Sequence, residues 1–288
     1  MSFIWGTSFI LIKKSLLAYT PLQSGALRIS FAFFYFLPIA IRKIKKLNNK
    51  NIKWLILAGF IGNFFPAFMF AYGETEVSSS IASMINSTTP IFVLITGLIM
   101  FKSKPSWLNV LGLIIGFIGT LGLVADSSET LFSGWKIGAL VIVGATFFYG
   151  INTNILKYKL EGLDGLAISA LSFLFIGPWA IAYFVMSDLK TAYLSEFFWT
   201  STGALATLAF FSSFVAIILF VNLIKYSTAI FAASSTYIIP IFAIFWGLLD
   251  GESLSELQIV SIFVVFAGIS LINRKNKNNQ PSTVKLKT

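Results

Sequence analysis

Charge is absent from long stretches of this chain, and those stretches have the length of a bilayer. Uncharged runs cover residues 54–73, 77–101, 105–125, 137–156, 165–187, 197–224 and 226–249. A crossing helix needs roughly 17–25 apolar residues to span the hydrocarbon layer, so each of the seven is long enough. The run 257–273 sits at the short limit, and 22–41 fits except for Arg28. Residues 1–12 reach crossing length if Lys13 and Lys14 snorkel and extend the span to about Tyr19. Ten spans are therefore expected. In hydrocarbon every backbone N–H and C=O must find its partner inside the protein, so spans of this length fold as helices. The expected class is an all-α integral membrane protein.

Composition narrows the chemistry further. Charged residues make up 11% of the chain, against about 25% in soluble domains. There is no cysteine and no histidine, which closes off disulfides, thiolate chemistry, Cys/His metal sites and histidine acid–base catalysis. No cofactor and no metal are expected. The N-terminal apolar stretch lacks a basic n-region and a small-residue cleavage site, so it reads as a retained first helix and not a secretory signal.

A net charge of +10 would suggest nucleic acid in a soluble protein. Here the positive-inside rule accounts for it. With the N-terminus in the cytoplasm, the inner segments 42–53, 102–104, 157–164, Lys225 and the tail from Arg274 hold sixteen of the 21 Lys and Arg. Nine of the eleven acids fall outside. Both tallies favour ten helices with both termini cytoplasmic, in the cell membrane. The expected partners are the lipid bilayer and a small-molecule solute, not nucleic acid, for a monomer or a homodimer.

The chain also repeats itself. "TPIFVLITG" at 89–97 returns as "IPIFAIFWG" at 239–247, pairing Pro90 with Pro240 and Gly97 with Gly247. "GLIIGFIGTLGL" at 112–123 parallels "SIFVVFAGISLI" at 261–272, and "WGTSFILIKKSL" at 5–16 parallels "YGINTNILKYKL" at 149–160. The offsets are 150, 149 and 144. Two repeats are expected, 1–125 and 134–273, followed by a basic cytoplasmic tail at 274–288. Five helices per repeat is an odd number, so the second repeat enters the membrane inverted. Loop charges agree: 42–53 carries six basic residues and no acid, while its counterpart 188–196 is net negative. Inverted repeats place a substrate site near the midplane, on interrupted helices where the halves meet. Pro90 and Pro240 are the matched interruptions. Neither has an N–H to donate, so the carbonyls of Asn86 and Thr236 are freed. The alternative is a pair of ordinary kinks whose neighbours fill in.

These residues carry a resemblance. "WGTSF", "PLQSGALR" with Arg28, the pair "SSSIASMINSTTPIF" and "STAIFAASSTYIIPIF", and "GESLSELQIVSIFVVFAGISL" together resemble the EamA family of the drug/metabolite transporter superfamily, over nearly the whole chain. The resemblance implies a ten-helix, two-repeat carrier of small organic solutes, often an exporter. It also implies a cavity lined mainly by helices one, three, four, six, eight and nine. The chain departs from the pattern in three ways. Its first helix starts unusually close to Trp5, Ser103 stands where the second repeat has Glu252, and Ser172 occupies the arginine position of the second repeat.

Several residues are candidates for lining the cavity. Arg28 is a charge at membrane depth, a functional candidate by default. It suits pairing with a substrate carboxylate or a gate, against the bland reading of an anchor to head groups. Ser83, Asn86 and Pro90 share one helix face, and Ser234, Tyr237 and Pro240 match them on the ninth helix. Trp5, Tyr149, Asn152 and Asn154 form the equivalent set on helices one and six, and Asn63 with Pro66 marks a further interruption. Interhelical hydrogen bonding is the structural alternative for the small polar residues. No acid falls at mid-membrane depth; Glu74 and Glu76, at an outer end, read as solvated helix ends, with a gate or proton sensor as the alternative. Exchange or facilitated diffusion fits the sequence at least as well as proton antiport. Transport of a metabolite such as an amino acid by alternating access is the expected function. An intramembrane enzyme is disfavoured by the missing histidine and the lack of an acid pair within the spans. A non-transporting scaffold or accessory subunit is the remaining rival.

Overall fold

A computed structural model describes residues 1–124, 137–242 and 255–274. Among them every regular element is helical. The rods follow in order: α1 (Ser2–Ser15), α2 (Pro21–Lys43), α3 (Ile52–Gly73), α4 (Ser79–Phe101), α5 (Trp107–Val124), α6 (Ile137–Tyr158), α7 (Gly165–Met186), α8 (Phe198–Tyr226), α9 (Ala229–Phe242) and α10 (Glu256–Asn273). Seven of these, all but α1, α5 and α9, are long and apolar enough to cross a membrane. Their outer faces stay apolar, with Ile99, Trp199 and Phe263 each at least 70% exposed, as lipid contact requires. Gly247, the Gly251–Glu252 turn, Asp126, Glu129, Lys136, Asp250 and the tail from 275 lie outside the described residues.

Local chemistry sets the helix starts. Thr20 and Gln23 form a capping box at α2, with Pro21 in the first turn, and Asp164 accepts from the Ala167 N–H at 2.8 Å to cap α7. Ser78 and Thr228 cap α4 and α9. Ser106 with Asn109, and Ser255 with Gln258, make reciprocal caps at α5 and α10. These three pairs of caps stand 144, 150 and 149 residues apart, the same offsets that relate the sequence repeats. One boundary differs from expectation. α1 ends at Ser15, short of Tyr19, because residues 16–19 form the turn that delivers Thr20 to its cap.

Equivalent helices pack on each other: α2 lies along α7, and α5 along α10. The second contact is backbone against backbone. A Cβ at Gly268 would stand 2.4 Å from the Gly116 nitrogen and 2.7 Å from the Gly112 oxygen, so only glycine permits this approach. Four helices are interrupted. α3 passes through a π segment at Phe60–Phe64 and α8 through another at Ala209–Val215. α4 breaks at Ser87–Thr88, and α9 tightens into a 3-10 turn at Ser235–Ile238.

The prolines act differently from a simple kink. Pro90 sits in the first turn of the second half of α4, where its missing N–H costs nothing, and the break precedes it. The Asn86 carbonyl is not left open, because the Thr89 hydroxyl donates to it at 2.7 Å. Pro240 follows the 3-10 turn of α9, and the Thr236 carbonyl accepts from the Ser87 hydroxyl at 3.3 Å. The first carbonyl is thus met within its own break, and the second is met in addition by the break of the other half.

Candidate functional site

All four interruptions face one cavity, walled by α1, α2, α3, α4, α6, α7, α8 and α9. Gly62 and Asn63 come from the π segment of α3, Ser212 and Ser213 from that of α8, Asn86 and Thr89 from the break in α4, and Thr236 from the turn of α9. π segments insert a residue into the helical ladder, re-aim side chains and recur at functional sites. α5 and α10 contribute nothing to the wall, so their glycine seam is a rigid flank.

Arg28 on α2 reaches across the cavity. Its Nε donates to Ser213 Oγ at 2.9 Å and its Nη2 to Ser212 Oγ at 3.4 Å, so among the described residues the partly buried cation is held by two hydroxyls and no carboxylate. Among the described residues no acid lines the cavity. Three buried side-chain atoms in the wall have no hydrogen-bond partner among the described residues: Asn86 Oδ1, Asn152 Oδ1 and Ser172 Oγ. Buried polar groups are nearly always paired, and an unpaired one costs about 1–3 kcal/mol. Three orphans around one hollow that also holds a guanidinium make a surface suited to a solute bearing a negative group and N–H donors.

Of the sequence-derived candidates, Trp5, Arg28, Asn63, Asn86, Tyr149 and Asn152 line the cavity. Trp5 Nε1 points to the Ser212 carbonyl at 3.4 Å, with its ring edge-on to Phe220. Tyr149 stacks on Phe70. Ser83, Ser234 and Tyr237 are placed elsewhere. The first two donate to carbonyls three residues back, Ser80 and Phe231. Tyr237 is fully buried under Gly116, its hydroxyl donating to the Leu113 carbonyl at 3.0 Å. It locks α9 to α5. Asn154 ties α6 to α4 through the Val93 carbonyl and the Thr96 hydroxyl.

Sequence reasoning passed over the hydroxyls. Ser212 and Ser213 form a polar doublet in the apolar run "AFFSSFV", and Ser172 stands at the position equivalent to Arg28; both signals were readable. Glu74 also departs from expectation. It is 5% exposed, not solvated. Burial pushes its carboxyl well above the usual range, against the Ser79 hydrogen bond and the charges of Arg28 and Lys13.

Known proteins share this plan. A transporter of S-adenosylmethionine and S-adenosylhomocysteine from Chlamydia trachomatis serovar L2 is 24% identical over 281 residues, covering 94% of this chain and 86% of its own. An uncharacterized transporter from Archaeoglobus fulgidus is 24% identical over 272 residues, covering 94% and 95%. A solved crystal structure superposes with a TM-score of 0.74 at 11% identity, over 94% of this chain and 93% of its own, which is a likeness of fold. The family model described as the EamA-like transporter family matches residues 1–125 and again 136–274. The chain belongs to that family, as an all-helical membrane protein related to transporters.

Proposed function

We propose that this chain is a secondary transporter that moves a small organic metabolite across the cell membrane by alternating access between two inverted five-helix repeats. The observation that carries the reading is the convergence of four backbone interruptions, two from each half, on a hollow with three unpaired polar atoms and one guanidinium. The recurring cap offsets and the double match of the family model support the two repeats. A plain scaffold has no need to leave buried amide oxygens unsatisfied.

The wall suggests the solute. Arg28 suits a carboxylate, and the oxygens of Asn86 and Asn152 suit an ammonium or amine, the two poles of an amino acid. S-adenosylmethionine, named for the Chlamydia relative, ends in such a group. Both termini lie in the cytoplasm in this reading and the net direction is export. Purified protein in liposomes preloaded with unlabelled solute tests it. Counterflow of a labelled amino acid or of S-adenosylmethionine is expected. No counterflow across a panel of amino acids, nucleobases and polyamines would overturn transport in favour of a scaffold.

A further inference from the structure

We propose that Glu74 is a proton-binding site, and that Lys13 displaces its proton when the end of the bundle at which α1 and α3 finish closes. Glu74 caps the C-terminus of α3. Its Oε2 accepts from Ser79 Oγ at 3.3 Å, and its buried Oε1 has no partner among the described residues. Each neighbouring element bears on it differently. Ser79 faces it from α4 as a neutral donor, while Arg28 from α2 and Lys13 from α1 act on it as charges. Arg28 turns two of its donors to Ser212 and Ser213 in the cavity and none to Glu74 among the described residues. Glu76, in the same turn, spends its carboxylate on the Gly138 N–H of α6 and the Tyr72 hydroxyl. Lys13 is exposed and makes no hydrogen bond among the described residues.

The second half shows what the missing contact looks like. Lys157 lies 144 residues after Lys13, the offset that also relates Thr20 to Asp164. Its ammonium donates to the carbonyls of Ser227 at 2.6 Å, Ile224 at 2.9 Å and Lys225 at 3.4 Å, closing the C-terminus of α8. α8 is the counterpart of α3, with the same π interruption. One end is therefore fastened by its lysine and the other is not. At the α3 end Phe70, Tyr72 and Gly73 already accept from the backbone N–H groups of Glu74, Thr75, Glu76 and Val77. Glu74 Oε1 is the carboxyl acceptor at this end without a partner among the described residues, and the one whose charge an ammonium would change.

When the two repeats exchange conformations, Lys157 releases and Lys13 reaches Glu74. A carboxyl kept from water with no cation in contact retains its proton. An arriving ammonium favours the carboxylate, and the proton leaves to water. One proton is bound with this end unfastened and released to the aqueous face when Lys13 fastens it, so pH biases the cycle without any relay through the bilayer. The inference rests on alternating access, and its test uses no solute, so its failure is distinguishable from failure of the counterflow test.

The chain has no cysteine, so Leu17→Cys and Thr75→Cys, both at exposed positions, take spin labels cleanly. The full chain in lipid nanodiscs is measured from about pH 5 to about pH 9, the range in which buried carboxyls titrate. Raising the pH is expected to add a population with a shorter 17–75 distance. Glu74→Gln and Lys13→Gln are each expected to abolish that population. A distance distribution that ignores pH overturns the proposal, as does a pH-driven shortening that survives Lys13→Gln. Lys13→Gln alters only an exposed side chain, so it decides alone if Glu74→Gln does not fold.

Discussion

Replacing Arg28 separates recognition from folding. Its guanidinium has five N–H donors, of which the structure commits one firmly to Ser213 at 2.9 Å and one weakly to Ser212 at 3.4 Å. Enough remain for two bonds to a carboxylate in the cavity. Hydrogen bonds to charged groups are worth about 1.5–3 kcal/mol each, so a bidentate pair contributes about 3 kcal/mol or more. At about 1.4 kcal/mol per decade, Arg28→Leu lowers solute affinity at least roughly 100-fold. Arg28→Lys keeps the charge and one bond, and loses roughly 10-fold. Folding moves the other way. A charge at membrane depth costs about 2.5–3.5 kcal/mol or more to insert, so Arg28→Leu should express and purify at least as well as wild type. The assay is counterflow in proteoliposomes over a range of solute concentrations, with monodispersity of the purified variant as the control. Affinity in Arg28→Leu within a few-fold of wild type would refute the role.

Other substitutions probe the frame around the cavity. Gly268→Ala sets a methyl 2.4 Å from the Gly116 nitrogen and forces α5 and α10 apart, so the unfolding temperature of the purified protein should fall by the equivalent of about 1–3 kcal/mol or more. Tyr237→Phe removes the hydroxyl's bond to the Leu113 carbonyl, which keeps its helical partner in α5. It should cost about 0.5–1.5 kcal/mol of stability and leave solute affinity unchanged, because Tyr237 is not in the cavity wall. Asp164 titrates under competing influences: burial raises it, but the Lys46 and Ala167 hydrogen bonds and the charge of Lys43 together hold it at about 2. Its pKa is depressed, so its stabilisation is present above the ordinary carboxylate value of about 4 and is lost as pH falls toward 2. Asp164→Asn should flatten the pH dependence of unfolding temperature in that window, modestly, because the pair with Lys43 and Lys46 is partly exposed.

Much of the fold was legible because hydrocarbon permits so few solutions. Uncharged runs of crossing length must become helices, and five of the seven did so at crossing length, joined by the Arg28-bearing run and the short run at 257–273. The duplication was equally open to inspection, since Pro90 with Pro240 and the caps Ser106 with Ser255 sit at matching offsets. Residues whose chemistry was costly in lipid, such as Arg28, Asn86 and Asn152, could be picked out from that cost alone. Tertiary packing decided which face of each helix met the hollow. Ser83 and Tyr237 share helical faces with Pro90 and Pro240, yet the break in α4 and the 3-10 turn in α9 change the residue angle from about 100° to 120° and turn them away. The π segments of α3 and α8 left only Asn63 and Pro66 as a trace, because an inserted residue changes hydrogen bonding without changing composition. Glu74 reads as a solvated helix end in any one-dimensional pattern. Its burial, the Ser79 hydrogen bond and the charges of Arg28 and Lys13 exist only once the helices are packed.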